Sequence, residues 1–544
     1  MSLRRQPFPP VPKDTKDLVS HLYPKGHPYI SFSDEFANFL DCDDFIEMYS
    51  NLGQSAIPPA RIVAVMLLQA AEGLSDRQAV AQLRQSVLWK YVASMELQDG
   101  GFDHSVLSEF RDRLIKFEAG QLLFDKMLHL AHEMGLLKTS KQRTDATDIH
   151  SAARLLNRSE LIHECMRLCL DDLTEVVPLW LNKIRKPEWS DRYSLRPFNY
   201  KLGKTDKAKA KLAETLGEDA LYLLELIVGQ ENDAIKGLDS VLALHRVFEG
   251  HFDIDDKGIK LREQLKPSGE RLGSPHDVDA RVGAKRGDSW LGYKKHLTET
   301  VNPSSPNLIT NVLITQAHIN DSLVLEEIHQ SLKERGLKPK VHLVDRGYVQ
   351  VDQLTKSLNQ DEIDVVSYIT ESPSWQARAK QGFDLSNFKI DYESQTAICP
   401  AGEVSAIWKK RKKDDNSTDF NVVFSKRQCQ SCNLRPQCTS STSRILHIKS
   451  EPVSEFMRKQ RERQHTPEFK RLYAQRSGIE GTISQDVRRM NSRRSRLRGL
   501  QKVQFSGFMQ ALAMNAVRLG AHLMGIPKAT TRLNPFQMAF AAGT

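Results

Sequence analysis

The stretch Lys340-Val341-His342-Leu343-Val344-Asp345-Arg346-Gly347-Tyr348 decides the fold. Apolar and β-branched residues lead into Asp345, and Gly347 follows two positions later. This pattern predicts a buried strand that delivers a carboxylate to its C-terminal end, where the glycine lets the backbone turn. In open α/β sheets that edge is where chemistry is usually found. We therefore expect Asp345 to belong to a site that other acidic residues complete.

Length and composition describe a multidomain globular chain with a polyanionic partner. A chain of 544 residues is too long to fold around one ordinary hydrophobic core, so about two to four domains are expected. Hydrophobic residues make up 40% and charged residues 27% of the chain, which allows a large core. The net charge of +9 favours polyanions over acidic small molecules as partners.

The sequence predicts neither export nor membrane insertion. Arg4 and Arg5 precede a Pro-rich stretch and not an apolar run, which is unlike a signal peptide. No uninterrupted apolar run reaches about 18 residues, the length that a membrane-spanning helix needs. Seven Cys in such a chain indicate reduced thiols or metal ligands more than disulfides. We expect a cytoplasmic protein.

A helical pattern follows an irregular, Pro-rich lead-in. Pro58 and Pro59 predict the start of a helix that Gly73 ends, and Ser75-Asp76-Arg77-Gln78 has the form of a capping box. Short helices joined by tight turns are typical of a helix-turn-helix-like DNA-binding module. They are equally typical of a small helical bundle that has a structural role and does not bind DNA, and both interpretations stay open.

A second predicted strand with acidic residues lies far before Asp345 in the sequence. Thr144-Asp145-Ala146-Thr147-Asp148-Ile149-His150 alternates, so Asp145 and Asp148 project from opposite faces of an extended segment. Only one of these two acids can face the edge of the sheet that Asp345 reaches. Asp148 is therefore a rival of Asp145 for the same role.

From residue 287 onward strands and helices alternate. Trp290–Thr300 and Asn307–Thr315 have strand patterns, Asp321 caps a helix, and Asp364–Ile369 follows the strand of Asp345. With the strand of Asp145 placed first, this is the element order of an RNase H-like core, whose parallel strands are joined by a right-handed crossover. A long helical insertion then separates the first two strands.

The Cys residues form two groups with different predicted roles. Cys165 and Cys169 lie one helical turn apart among apolar residues, which indicates buried thiols. The second group contains a CxxC pair and could complete a closed Cys₄ zinc site. Such a site would stabilise an inserted subdomain and have no catalytic role. Free buried thiols are the alternative. Its members are Cys399, Cys429, Cys432 and Cys438. The basic run Lys409-Lys410-Arg411-Lys412-Lys413 lies in the same subdomain.

Three motifs around acidic residues keep a shared order along the chain. They are Thr144-Asp145-Ala146-Thr147, then Val344-Asp345-Arg346-Gly347-Tyr348, then Tyr473, Arg476 and Glu480. Together they resemble the motifs of bacterial insertion-sequence transposases of the DDE type, in the group marked by a Tyr-Arg-Glu signature, Y-(2)-R-(3)-E-(6)-K. The segments Ser274–Arg281 and Trp290–Lys294 are also similar to this family. The resemblance covers about residues 31–523.

This resemblance implies a DNA transposase that cleaves at the ends of its mobile element and joins the 3′-hydroxyl ends to target DNA. Asp145, Asp345 and Glu480 would be its catalytic acids and would hold two Mg²⁺ or Mn²⁺ ions, cations that prefer oxygen ligands. The implied partner is double-stranded DNA, both terminal inverted repeats and target, bound by a homodimer at the bacterial nucleoid. Two other function classes remain: a catalytically inactive DNA-binding protein on the same fold, and a metal-dependent DNA nuclease without strand transfer.

The residues around the third acid are expected to contact DNA. Tyr473 and Arg476 would share one helical side with Glu480 and by resemblance hold phosphate, although Arg476 could instead form an ordinary surface ion pair. The Lys of the signature would fall at Val487, so that its contact would pass to a neighbouring arginine. A run without acids then predicts a phosphate-binding track. Its members are Arg488, Arg489, Arg493, Arg494, Arg496, Arg498 and Lys502.

One further polar group has two interpretations. His276, Asp277 and Asp279 could form another metal site, but a turn with a capping Asp before the strand at Trp290 is preferred.

The predicted fold class is α/β, with an RNase H-like mixed sheet, an N-terminal α-helical domain, a long helical insertion after the first strand and a Cys-bearing insertion before the final helices. The predicted segments are 1–30, an irregular lead-in; 31–135, a helical DNA-binding domain; 136–152 and 287–370, the core; 153–286, a mainly helical insertion; 371–466, the Cys-bearing insertion; 467–525, C-terminal helices with the third acid; and 526–544, a tail.

Overall fold

The N-terminal region is helical from residue 31 onward, as expected, but a helix at Lys13–Leu22 lies within residues 1–30, so the prediction of an irregular lead-in was wrong there. The structure, a computed structural model, describes residues 2–3, 8–36, 40, 42–196, 205–256, 258–370, 374–411 and 419–528. A 3-10 helix at Cys42–Met48 accompanies the α-helices of this region. They are α1 (Lys13–Leu22), α2 (Pro28–Phe36), α3 (Pro59–Glu72), α4 (Asp76–Gln85), α5 (Val87–Val92), α6 (His104–Lys116) and α7 (Ala119–Glu133).

Local sequence signals set the boundary between α3 and α4. Gly73 ends α3 in the left-handed conformation, with φ of 64°, where a side chain would be strained. Ser75 then accepts a hydrogen bond from the amide of Gln78, and the Gln78 side chain accepts one from the Ser75 amide. The predicted capping box is therefore confirmed.

The strand β1 (Lys141–His150) is followed by an insertion with a hydrophobic core of its own. Cys165 and Cys169 are buried in that core, as predicted, and burial raises the pKa of the Cys169 thiol to about 12. The insertion also contains a β-hairpin that the helical pattern did not predict. Its elements are α8 (Arg158–Val176), α9 (Pro178–Ile184), α10 (Trp189–Tyr193), α11 (Asp206–Val228), α12 (Asp233–Lys236), α13 (Asp239–His251), β2 (Phe252–Asp255) and β3 (Gly258–Leu261).

A mixed sheet follows, with α-helices between its later strands. Its remaining elements are β4 (Arg281–Lys285), β5 (Asp288–Thr300), β6 (Ile309–Gln316), α14 (Leu325–Glu334), β7 (Val341–Val344), α15 (Val351–Asn359) and β8 (Asp364–Val366). Among the described residues this sheet has six strands, in the order β6-β5-β1-β7-β8, with β4 beside the first part of β5. β1 is antiparallel to β5 and parallel to β7, which is parallel to β8. The expected α/β class with a mixed sheet is confirmed.

The Cys-bearing insertion consists of short elements around a small core. Lys412 and Lys413 of the basic run, and residues 529–544 of the predicted tail, lie outside the described residues. The elements of this insertion are α16 (Trp375–Ala379), β9 (Lys389–Asp391), β10 (Thr396–Ile398), β11 (Ile407–Arg411), β12 (Asp419–Val423), α17 (Lys426–Gln430), α18 (Arg435–Cys438) and β13 (Ile445–Lys449).

The C-terminal helices close the fold over one face of the mixed sheet. They are α19 (Glu451–Arg463), α20 (Pro467–Ala474), α21 (Gly478–Arg489) and α22 (Leu500–Leu523). On α22, Gly507 packs against Val312 and Ile314, and Asn515 exchanges two hydrogen bonds with the backbone of Ile309. The predicted packing of the last helix on the sheet is therefore confirmed.

The N-terminal helices pack on the outer side of α22, so that this helix lies between them and the sheet. They share one continuous hydrophobic core with α22 and the sheet. On the other face of the sheet, Ser331 of α14 donates a hydrogen bond to Asn311. In the part of the chain that the structure describes, no helix is both long enough and apolar enough to cross a membrane.

Candidate active site

Strands β1 and β7 bring Asp145 and Asp345 to one edge of the sheet. The strands run parallel with Thr144 opposite Val344, so the two acids that follow are neighbours. Burial raises the pKa of Asp145 above its usual value, and the negative charge of Asp345 raises it further. Two carboxyl groups at one edge repel each other when both are ionised, which favours a positive charge between or beside them.

Arg476 supplies a positive charge at this edge and connects the first acid to the third. Its Nη1 lies 3.1 Å from Oδ2 of Asp145, and its Nη2 lies 3.1 Å from Oε1 of Glu480. Burial lowers the pKa of Arg476, but the nearby negative charges, which include Asp145, Asp345 and Glu480, raise it overall. Of the three acids predicted from the sequence, Asp145 and Glu480 contact this guanidinium group directly, and the charge of Asp345 acts on it from nearby.

Helix α21, which carries Glu480 in its first turn, is fixed to β5 by two buried polar contacts. Thr482 Oγ1 donates a hydrogen bond of 2.6 Å to Oε2 of Glu299. One helical turn later, the Asp486 carboxylate accepts hydrogen bonds of 2.7 and 2.9 Å from Nζ of Lys295. Lys295 and Glu299 project from the same face of β5. The two contacts therefore fix both the position of α21 along β5 and its rotation about its own axis.

Glu299 is the centre of a larger buried network. Its fully buried carboxylate also forms ion pairs with Arg143 of β1, at 2.6 Å, and with Arg518 of α22, at 2.8 Å. A buried carboxylate needs such partners, because removal of charge from water is costly. The sequence analysis did not identify Lys295, Glu299 or Asp486. The sequence did contain a signal for them, because strand alternation places the charged residues Lys295 and Glu299 on the side of β5 that faces the core.

The segment between Tyr473 and Glu480 is not one helix. A 3-10 turn at Gln475–Ser477 separates α20 from α21, but Arg476 still contacts both Tyr473 and Glu480, as expected if the three residues share one side. Nη1 of Arg143 donates a 2.6 Å hydrogen bond to the carbonyl of Gln475. A Cβ at Gly478 would lie 2.1 Å from the same nitrogen, so the guanidinium occupies the space of a side chain there.

Tyr473 contacts Arg476 as part of an aromatic group. Its ring stacks on Phe469, with centroids 5.9 Å apart, and meets Tyr368 edge to face at 4.7 Å. The guanidinium carbon of Arg476 lies 5.9 Å from the Tyr473 ring centroid, within the range of a cation–π contact. The aromatic group therefore limits where Arg476 can move.

A chain of buried polar side chains lies on the opposite face of β1, and the sequence analysis missed it. Thr144 Oγ1 lies 2.7 Å from Nε2 of His342, whose Nδ1 lies 2.8 Å from Nε2 of His329. Burial lowers the pKa of His329 to about 4, and that of His342 is also well below its usual value. Both rings are therefore neutral near pH 7, and they tie β1, β7 and α14 together directly behind the first two acids.

Asp148 and the group at His276 lie away from this edge. Asp148 is on the face of β1 that also carries Thr144, opposite to the face of Asp145. Asp277 accepts hydrogen bonds from Tyr293 and Ser151, and Asp279 accepts one from the amide of Leu500. His276 instead contacts Glu164 at 2.8 Å. The turn interpretation of this group therefore accounts for its contacts.

The arginine run follows α21 and crosses the end of β1. Arg488 and Arg489 are exposed in the last turn of α21, while Val487 is half-buried. The backbone of Arg493 accepts a 2.7 Å hydrogen bond from the amide of His150, and Arg494 forms a parallel bridge with the same residue. The side chains of Arg493 and Arg494 are exposed, so the run presents cations beside the acidic edge.

Four Cys residues converge in the second insertion. Cys399, Cys429, Cys432 and Cys438 line one cavity of about 30 Å³. Burial raises the pKa of Cys438, and the neighbouring thiol groups raise it further. Across the ranges that the structure describes, however, no group of three or more His, Cys, Asp or Glu side chains stands in an arrangement that could hold a metal ion. The donor types at both clusters nevertheless suit metals: carboxylate oxygens suit Mg²⁺ or Mn²⁺, and thiolates suit Zn²⁺.

Two families of known proteins match parts of this chain. The family described as "Transposase DDE domain" matches residues 398–520, which include Glu480, Arg476 and the arginine run. The family described as "Transposase domain (DUF772)" matches residues 18–113, in the N-terminal helices. No curated protein and no solved structure matches the chain. The two family matches indicate that this chain is an insertion-sequence transposase of the DDE type.

Proposed function

We propose that this transposase cleaves DNA at the ends of its mobile element and joins the 3′-hydroxyl ends to target DNA by divalent-metal-dependent phosphoryl transfer. The observation that carries the proposal is the convergence of Asp145 and Glu480 on Arg476, with Asp345 beside them. Residues so distant in sequence meet at the carboxyl edge of the parallel strands, where chemistry concentrates in α/β proteins.

The order of the strands supports an RNase H-like core. β1 is central. On one side lies β5, which is antiparallel to both β1 and β6, and on the other lie β7 and β8, which are parallel to β1. The sequence pattern predicted such a core from the order of the elements along the chain, and the order of the strands in the sheet is a second, independent support for it. In that fold the first acid would lie on β1 and the second directly after β7, which are the positions of Asp145 and Asp345.

Each residue has a proposed role in the reaction. Asp145, Asp345 and Glu480 hold the cations, and Arg476, once it exchanges a carboxylate for a phosphate oxygen, orients the scissile phosphate. Bound divalent cations activate the attacking oxygen and stabilise the leaving oxygen. In the first step water breaks the bond at the 3′ end of the element, and in the second the freed 3′-hydroxyl replaces an oxygen of a target phosphodiester.

Contacts to the DNA backbone are proposed for Tyr473, Arg476 and the exposed arginines Arg488, Arg489, Arg493 and Arg494. Cations along a surface next to the acids would neutralise phosphates and give affinity that falls with salt, without sequence preference. Both ends of an element must be joined to one target, so we also propose that two copies of the chain assemble on DNA. A bacterial protein of this function would work at the nucleoid.

A structural zinc ion is proposed for the Cys-bearing insertion. Cys399, Cys429, Cys432 and Cys438 would hold it after a rearrangement of their side chains, since all four line one small cavity and thiolates are preferred ligands of zinc. Such an ion would stabilise the fold of the insertion and would not take part in phosphoryl transfer.

The test uses the purified full chain, Mg²⁺ or Mn²⁺, and a labelled duplex that carries the inverted repeats found beside the gene. Wild type should nick the duplex at the end of the element and join it to a second duplex. Asp345→Ala should bind the duplex but neither nick nor join it. Equal nicking by wild type and Asp345→Ala would overturn the assignment. Nicking without joining would favour a nuclease, and binding without either a catalytically inactive DNA-binding protein.

A further inference from the structure

The Cys-bearing insertion presents an exposed sheet face that the candidate active site does not use. Strands β11, β12 and β13 form a three-stranded antiparallel sheet. One face is packed into the core of the insertion. It carries Trp408 on β11, Phe420 and Val422 on β12, and Leu446 and Ile448 on β13. Because side chains alternate along a strand, the intervening residues form a second face, called here the outer face.

The outer face is ordered in three rows across the strands. Lys409, Asn421 and His447 lie side by side in the middle row, and His447 Nδ1 lies 2.7 Å from Oδ1 of Asn421. The row on one side is aliphatic, with Ile407 54% and Ile445 45% exposed. The row on the other side consists of Arg411, Asp419 and Lys449.

The charge on the outer face is positive. The outer face carries Lys409, Arg411 and Lys449 against the single acid Asp419, and Lys449 Nζ lies 3.0 Å from both Asp419 and Asp352 of α15. Lys409 and Arg411 are exposed, and within the described ranges neither pairs with an acid. They are alternate residues of one strand, so about 6.6 Å of strand separates them, comparable to the spacing of consecutive phosphates along a DNA strand.

The outer face is also attached to the segment that carries the second acid. Asp352, the partner of Lys449, lies in the first turn of α15, the helix that follows Asp345 and its 3-10 turn. One row of the outer face is therefore joined to the helix that follows the second acid.

We propose that the outer face is a DNA-binding surface, with Lys409 and Arg411 on consecutive phosphates and the Asn421–His447 pair at the groove. This inference rests on the proposed function, because it takes DNA as the polyanion that complements the face. Antiparallel β-strands fit the major groove of B-form DNA, and exposed aliphatic side chains can lie against sugars at its edge. The surface is separate from the arginine run, so it would extend the length of duplex that one chain holds.

Adjacent lysines on opposite faces of β11 give a matched test. Lys409→Ala/Arg411→Ala removes two cations from the outer face, while Lys410→Ala removes an equally exposed cation from the other face. Affinity for the element-end duplex should be measured by fluorescence anisotropy over a range of salt concentrations. The double variant should bind more weakly, with a log–log salt slope shallower by about 1.8, and Lys410→Ala should match wild type.

Three results separate this inference from the proposed function. If wild type binds and nicks the duplex while the double variant has the wild-type affinity and slope, the outer face is not a DNA surface, although the proposed function stands. An equal loss in Lys410→Ala would also overturn the inference. A double variant that changes the mass of the DNA-free protein, but not its DNA affinity, would assign the face to a second copy of the chain instead.

Discussion

Nη1 of Arg476 lies 3.1 Å from Oδ2 of Asp145, although 331 positions separate the two residues in sequence. The contact places a permanent positive charge beside a carboxyl group whose pKa burial raises. It also connects the first acidic strand to the helix of the third acid. The predictions that follow depend on this contact and on the elements that hold it.

Replacement of Arg476 should move the pH dependence of cation binding. A carboxyl group holds a cation only when it is ionised, and burial already raises the pKa of Asp145. Because the charge of Arg476 lowers this pKa in part, Arg476→Gln should raise it further. The midpoint of Mn²⁺ binding, followed by electron paramagnetic resonance from about pH 4 to 7, should then move to higher pH. Arg488→Gln is the control, and an unchanged midpoint in Arg476→Gln would contradict the account.

Thr482 should matter for catalysis through the position of α21. Thr482→Val removes the hydroxyl that donates a hydrogen bond to Glu299 and accepts one from Arg518, and the loss of these buried hydrogen bonds to charged groups should cost about 1–3 kcal/mol. Cleavage at saturating DNA should fall more than DNA affinity, because Glu480 is displaced. Thr482→Ser keeps the hydroxyl and should restore cleavage. Wild-type cleavage by Thr482→Val would show that this contact does not position the third acid.

The contact between the first insertion and the turn at His276 should have a specific pH dependence. Burial alone would raise the pKa of Glu164, but hydrogen bonds from His276 and Arg167, with the Arg167 charge, lower it to about 2. The stabilisation by Glu164 is therefore complete above its usual pKa of 4.5 and is lost as the pH falls toward 2.

The measurement is the difference in melting temperature between wild type and Glu164→Gln. This difference should be constant from about pH 7 to 5 and should shrink below about pH 4. Glu175→Gln, an exposed acid of the same helix, should melt like wild type throughout. A difference that grows as the pH falls would have the wrong sign for this contact.

Zinc content should depend on the second group of Cys and not on the first. Elemental analysis of the purified protein should give about one zinc per chain in wild type and in Cys165→Ser, but not in Cys432→Ser. A chelator should lower the melting temperature of wild type, because the bound ion contributes to folding. If wild-type protein is folded but contains no zinc, the proposed zinc site is ruled out.

Sequence patterns predicted the elements whose causes are local. The apolar run before Asp345 became β7, the alternation around Asp145 became β1, and Gly73 and Ser75 set the end of one helix and the start of the next. In each case the signal and the structure lie within a few residues of each other, where propensity and capping act.

The missed features have distant causes. At the 3-10 turn after Tyr473, Arg143 of the first strand donates a hydrogen bond to the carbonyl of Gln475 and occupies the space beside Gly478. The network at Glu299 joins β1, β5, α21 and α22, and the pair His342–His329 joins a strand to a helix. Periodicity gives no indication of such partners, because they meet only when the sheet has formed.

The central claim is that Asp145, and not Asp148, completes the metal-dependent centre with Asp345 and Glu480. The most direct test is cleavage of the labelled element-end duplex in Mn²⁺ by Asp145→Asn and Asp148→Asn, which change the same group on opposite faces of one strand. Asp145→Asn should lose cleavage while it retains DNA binding, and Asp148→Asn should cleave like wild type. Loss of cleavage in Asp148→Asn, with wild-type cleavage in Asp145→Asn, would contradict the account.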